Sequence, residues 1–156
     1  MKKFILLSFV ILASLLSTGC TGIAYIKGET LSNSFLNDKL AVREESTIIR
    51  KLSFKAFFTG HAVVTVAGVG CIHTKGEHIN IGLSRDGKNY INSANIYSFL
   101  GHGKSCGVGQ ESAFMFRDVM PVVGGEKYTY YILGNKGSAN KISANISIGD
   151  MIVKLH

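Results

Sequence analysis

Charge is scarce in this 156-residue chain and lopsided where it occurs. Only 17% of residues are charged, 17 basic against 10 acidic, for a formal net charge of +7. With 46% hydrophobic residues, so little charge excludes a disordered or low-complexity chain, which would lack the apolar surface needed to fold. Proline occurs once, at Pro121, whereas glycine occurs 18 times. Beyond the first twenty residues no apolar run approaches the roughly 20 residues of a spanning helix, which leaves no second membrane segment. The length suits one ordinary domain.

The first twenty residues have a different character. Met1-Lys2-Lys3 precedes an apolar stretch from Phe4 to Leu16, which ends at the small residues Ser17-Thr18-Gly19. A short basic start, about a dozen apolar residues and a small-residue end form the layout of a secretory signal; a buried N-terminal helix is the alternative. Leu16-Ser17-Thr18-Gly19-Cys20 resembles the lipobox of bacterial lipoproteins. Gly19 and Thr18 match that pattern, and Ser17 departs from it, because an aliphatic residue is commonest there. The resemblance implies cleavage after Gly19, acylation of Cys20 with fatty acids such as palmitate, and anchoring to the cell envelope. With Thr21 after the cysteine rather than Asp, it implies the outer membrane in a Gram-negative cell. Two acyl chains suffice for stable anchoring without a spanning segment. Ordinary signal cleavage at Ser17 and Gly19, leaving Cys20 merely exposed, is the other possibility.

Export leads to an oxidising compartment, where paired cysteines persist. With Cys20 lipidated, Cys71 and Cys106 are left as the expected disulfide. Closing that loop of 36 residues contributes roughly 3–4 kcal/mol on the chain-entropy view; two separate thiols are the alternative. Loss of residues 1–19 removes Lys2 and Lys3 and leaves a net charge of about +5. The remaining basic residues are scattered, as on a solvated surface, and are available to anionic envelope components. No nucleic-acid motif or zinc-finger spacing is present, so no nucleic-acid partner is expected.

Residues 20–45 carry Gly22, Gly28, Ser32, Asn33, Ser34, Asn37 and Asp38 without a sustained apolar period, and read as the lipidated N-terminus and a tether, with a short helix near Leu40–Glu45. From Ser46 alternation of period two takes over. Ile48 to Phe58 alternates with Ile49-Lys51-Ser53-Lys55; Ala62–Val66 extends toward Ile72; Ile79-Ile81-Leu83 leads to the turn Arg85-Asp86-Gly87-Lys88. Ile96-Tyr97, Phe114-Phe116, Lys127–Leu133, Ile142–Ile148 and Met151–Leu155 complete seven or eight short strands. The expected fold is all-β, an antiparallel sandwich of jelly-roll or Greek-key type over residues 46–156.

The stretch from Ile79 to Gly87, then Val122-Gly124-Gly125-Glu126-Tyr128-Tyr130 and Ser143 to Leu155, resembles the jelly-roll domains of the complement C1q and tumour-necrosis-factor type over about 110 residues. That resemblance implies a binding module, often trimeric, without catalytic residues. No cofactor is implied.

Chemistry-bearing patterns are thin. Gly103-Lys104-Ser105 resembles the end of a phosphate loop, but the glycine required five places earlier is Ser98, and no helix-forming stretch follows. A hairpin could bring His73 and His78 together, with His102 as a third metal ligand, whereas zinc needs three or four converging ligands; exposed hairpin histidines are the plainer account. No Gly-x-Ser-x-Gly elbow is present. Tyr128 and Tyr130 share one strand face and Tyr131 lies on the other, so they read as sheet packing or as an aromatic platform for a sugar. The reading is a lipid-anchored, non-catalytic envelope protein with a binding or structural domain. Its rivals are an exported metal-assisted enzyme, a lysozyme inhibitor and a glycan-binding adhesin.

Overall fold

The computed structural model describes residues 22–98 and 112–156. The elements in chain order are β1 (Ile23–Ile26), β2 (Glu29–Leu31), α1 (Asn33–Asp38), β3 (Ala41–Val42), β4 (Thr47–Lys55), β5 (Gly60–Ile72), β6 (His78–Ser84), β7 (Asn92–Tyr97), β8 (Ser112–Val122), β9 (Lys127–Lys136), β10 (Ala144–Ile148) and β11 (Met151–Leu155). They form two facing sheets, the all-β sandwich expected from the alternating pattern.

The first sheet is built on β5. Its first half pairs with β11 and its second half with β10, while β8 runs along its other flank from Gly60 to Gly70. β1 extends the sheet beyond β11, and β2 extends it beyond β10. The second sheet is built on β9, flanked by β4 on one side and by β6, then β7, on the other. β3 adds a short parallel pairing, Ala41 with Asn135 and Val42 with Lys136, to an otherwise antiparallel sheet.

Alternation decides what each strand buries. In β5, Ala62, Val64 and Val66 face the second sheet, as do Ile146 and Ile148 of β10 and Met151, Val153 and Leu155 of β11. Leu52, Phe54, Ile79, Ile81, Leu83, Tyr130 and Ile132 answer them from the β9 sheet. Burying a side chain of this kind is worth about 1.5–3 kcal/mol, so these two inner faces supply the main driving force. β4 shows how the pattern bends. A register shift between Ile48 and Arg50 moves Ile48 outward, so that Arg50 rather than Ile48 begins the buried row. Pro121 is accommodated because His61, opposite it, exchanges both backbone hydrogen bonds with His156 instead. The missing N–H therefore points to the outer side of β8 and breaks no ladder.

The tether expected over residues 20–45 is corrected from residue 22 onward. β1, β2 and β3 are sheet strands, and Leu31, Leu36 and Leu40 lie in the core. The helix is Asn33–Asp38, earlier than expected, with Ser32 as N-cap accepting from the Phe35 N–H at 3.2 Å. The polar residues that resemble a linker are stitches. Asn37 Oδ1 accepts from the Ile142 N–H at 2.6 Å, its Nδ2 donates to the Ile142 carbonyl, and Asn33 Oδ1 accepts from the Ala144 N–H. The domain therefore includes residues 22–45 and does not start at residue 46.

The turn after β6 forms where expected. Gly87 has φ +75°, a value glycine adopts without penalty. Asp86 accepts from the backbone N–H groups of Asn89 and Lys88 and from the Asn89 and Ser84 side chains. These bonds, the backbone one from Asn89 foremost, hold its carboxyl far below the usual range.

Candidate functional site

The outer face of the β9 sheet carries a polar cleft of about 490 Å³, lined by Arg43, Glu44, His78, Asn80, Tyr90, Asn95, Asn135 and Gly137. Its floor follows from strand register. Asn80 lies opposite Asn95 on β7 and opposite Asn135 on β9, so three carboxamides form one row across three adjacent strands. Their neighbours Ile79 and Ile81 turn inward to the core, which commits the asparagines to the outer face. Among the described residues, Asn80 Oδ1 and Arg50 Nη1 are the buried side-chain polar atoms without a hydrogen-bond partner. A buried acceptor left unmatched costs about 1–3 kcal/mol, and this oxygen has almost no accessible surface, so the cleft is contacted through the rest of the carboxamide row.

Two rings wall the row, and glycines make room for both. A methyl group at Gly82 would run into the Asn92 carbonyl and the Tyr90 ring; one at Gly137 would run into the His78 imidazole. The Tyr90 hydroxyl accepts from Ser46 Oγ at 2.9 Å and, at 3.4 Å, from Asn135 Nδ2, which leaves its own proton to donate. Burial, only partly offset by Ser46, raises the Tyr90 phenol, so it stays protonated at neutral pH. His78 leans on Tyr97, its cross-strand partner, with ring centroids 5.6 Å apart, and Tyr97 is exposed. Behind this wall Glu77 is buried and accepts from Ser138 and Asn140. The bond from Asn140 is the largest influence; with Ser138 and the nearby charges of His78 and Lys136 it outweighs burial and lowers the Glu77 carboxyl. At one side of the cleft Arg43 and Glu44 carry opposite charges. The result is a neutral surface of paired donors and acceptors with an aromatic rim, suited to binding hydroxyl and amide groups.

The three tyrosines singled out from the sequence lie elsewhere. Tyr130 is 0% exposed, and its hydroxyl donates to Asp118 Oδ2 at 2.6 Å; a ligand-stacking role is corrected, since nothing can reach its ring. Burial first, then Asp118, push the Tyr130 phenol up. Asp118 also accepts from Arg85 Nε and Nη2, both at 2.7 Å. Burial pushes the Asp118 carboxyl up, but the bonds from Arg85 and Tyr130 prevail and leave it below its ordinary range. Tyr128 stacks on Phe54 at 5.7 Å, and its hydroxyl accepts from the Val123 N–H. Tyr131, on the opposite face, has Lys51 Nζ 5.8 Å from its centroid. The three rings make no common platform.

Of the expected metal ligands, His73 follows β5, His78 lines the cleft and His102 lies outside the described residues. Among the described residues no three His, Cys, Asp or Glu side chains converge as a metal site. Cys71 is buried on β5, while Cys20, Cys106 and the segment Gly103-Lys104-Ser105 lie outside the described residues. The asparagine row was missed in the sequence because Asn80, Asn95 and Asn135 are far apart in the chain and asparagine marks turns as often as sites. The available signal was Asn80 on the outward phase of an alternating strand.

No protein-family description matches the chain, and no curated protein matches it by sequence. Solved structures do. A structure of the infectious bursal disease virus Gx strain aligns with 88% of this chain and 34% of that chain, at 7% identity and a TM-score of 0.52. The VP2 subviral particle of the same virus aligns with 87% of this chain and 33% of that one, at 11% identity and a TM-score of 0.49. Dimeric latent PorU from Porphyromonas gingivalis aligns with 86% and 13%, at 10% identity and a TM-score of 0.49. The chain spans about a third of the viral chains and a much smaller part of PorU. At such identities the likeness concerns the fold alone, a jelly-roll-like β-sandwich.

Proposed function

We propose that this is a lipid-anchored bacterial envelope protein whose sandwich is a non-catalytic binding domain, and that the cleft on the β9 sheet takes a neutral, hydroxyl-rich ligand of the glycan class. The row Asn95-Asn80-Asn135, all three residues lining the cleft, is the observation that carries the binding reading. Carboxamides donate and accept at once, as sugar hydroxyls require, and the exposed Tyr97 ring offers the apolar face that a pyranose stacks on. The anchoring part rests on the lipobox-like Ser17-Thr18-Gly19-Cys20. Cys71 pairs with Cys106 in this reading. Support comes from topology: Ser98 bridges Ile72 and Ser112 pairs with Gly70, so the segment between them departs and returns beside the two neighbours of Cys71.

The binding reading is tested on a glycan array. Wild type should bind a restricted set of neutral glycans, Asn80→Ala and Asn135→Ala should each lose at least about tenfold in affinity, and Tyr128→Phe should not. Failure of the wild type to bind any glycan, or binding unchanged in Asn80→Ala, rejects it. Fatty-acid labelling that marks wild type and spares Cys20→Ser supports the anchor; equal labelling of both, or of neither, rejects it.

A further inference from the structure

The end of the sandwich that carries Gly22 presents apolar side chains on firmly held loops. β4 ends there, β5 begins there, and β8 turns into β9 there. The β4–β5 connection is tightly held: Ala56 is fully buried, its N–H donates to the Glu126 carbonyl, its carbonyl accepts from the Gly125 N–H at 2.7 Å, and Thr59 Oγ1 accepts from the Gly124 N–H at 3.0 Å. Phe58 packs against the core. Between these fixed neighbours Phe57 projects outward, 79% exposed, and Val123 across the gap is 55% exposed. A methyl group added at Gly22 would sit 3.5 Å from the Phe57 ring, so this aromatic lies beside the first described residue. Ile23, 66% exposed, and Val119 add apolar side chains on the outer face of the β5 sheet, in one register row with Lys154 and Val63.

Cations surround it. Lys55 and Lys127 are direct cross-strand partners, and Lys154 lies opposite Ile23. Like charges placed opposite one another weaken a sheet, so the Lys55–Lys127 pair does not serve stability. Glu126 is the acidic side chain at this end, next to Lys127. An exposed aromatic on a rigid loop, aliphatic neighbours and a cationic rim match the bilayer interface, where rings enter the headgroup level and lysines meet anionic lipids.

We infer that this end of the sandwich, with Phe57 and Val123 at its tip and Lys55, Lys127 and Lys154 around it, docks onto the surface of an anionic lipid bilayer. The contact goes beyond the lipid-anchor reading and does not need it: an acyl chain on Cys20 would hold the domain near the membrane, whereas this surface would set which way it faces.

The sequence contains no tryptophan, so Phe57→Trp installs a unique reporter, and Ile48→Trp on the β9 sheet serves as its control. The full chain is purified and mixed with vesicles of phosphatidylglycerol and phosphatidylethanolamine carrying brominated acyl chains. Emission from Phe57→Trp should shift to the blue and be quenched at least threefold more than that from Ile48→Trp. Lys55→Glu/Lys127→Glu in the same background should lower the quenching at least threefold. Equal quenching of both reporters, or none at Phe57→Trp, overturns the inference. So does a blue shift that needs no vesicles and grows with protein concentration, which would make a second copy of the chain the occupant. Repeating the assay in Cys20→Ser separates the two proposals. Quenching that persists without fatty-acid labelling supports docking whatever becomes of the anchor. A labelled chain that floats with vesicles while its Phe57→Trp emission stays unchanged leaves the anchor standing and removes the docking.

Discussion

Glu29 Oε1 accepts a 2.9 Å hydrogen bond from Arg50 Nε, and through it β2 of one sheet is tied to β4 of the other. Arg50 is buried, its Nη1 has no partner, and the Glu29 side chain is 46% exposed. The guanidinium is always charged, so its place between two apolar layers depends on that carboxylate.

Glu29→Gln should therefore destabilise the fold by about 1–2 kcal/mol. A bond to a buried charge is worth more than that, but water reaches Glu29 and screens the pair. Arg50→Met removes the buried charge altogether and should cost less than Glu29→Gln, or nothing. Urea midpoints of the two variants check the order; a neutral Glu29→Gln would show that Leu31 and the pairing with β10 hold β2 without the ion pair.

Acid should weaken the protein through Asp118 and Glu77. Both carboxyls sit below their ordinary range in the fold. A depressed folded value stabilises fully above the unfolded value near pH 4 and is lost as pH falls through the folded one. The urea midpoint should drop as pH falls below about 4, and Asp118→Asn should flatten part of that drop while lowering stability at pH 7 by about 1–3 kcal/mol. A wild-type acid limb identical to that of Asp118→Asn contradicts this account.

Gly82→Ala tests the cleft wall. The added methyl group has no space beside the Asn92 carbonyl and the Tyr90 ring, so Tyr90 must leave its seat. We expect a loss of about 1–3 kcal/mol from overpacking. Released from burial, the Tyr90 phenol should titrate closer to its ordinary value, visible as one tyrosine shifted in an ultraviolet pH titration. A titration superimposable on wild type would mean that the ring does not rest on Gly82.

The proposed Cys71–Cys106 bridge predicts a single cross-linked peptide in a non-reducing digest and a loss of roughly 3 kcal/mol in Cys71→Ala, matched by the loss that reductant causes in wild type. Recovery of both cysteines as alkylated thiols from the exported protein would count against it.

Much of the sandwich was legible in the sequence. From Ile79 to Leu83 and from Ala144 to Leu155, one face per strand is apolar, and period two leaves little choice. Residues 22–45 were not legible, because three leucines at irregular spacing among serines and asparagines show no period. Asn33 and Asn37 act there by bonding to Ile142 and Ala144 more than a hundred residues later. Arg50 broke the apolar row for a reason held in Glu29, and the choice between packing and platform for Tyr130 needed its partner Asp118, which is on another strand. The cleft is a property of register, which no single strand contains.

That residues 22–45 belong to the sandwich has a mechanical meaning. β5 has 13 residues and, at roughly 3.3 Å each, spans about 40 Å from the end bearing Phe57 to the end where β6 begins. A flexible leader of two dozen residues would let the cleft sweep a wide volume above a membrane. With β1 starting at Ile23, a chain anchored at Cys20 would hold the cleft at one height instead. Its partners would be those that extend to that height, and lengthening the leader should widen the range of surfaces it can engage.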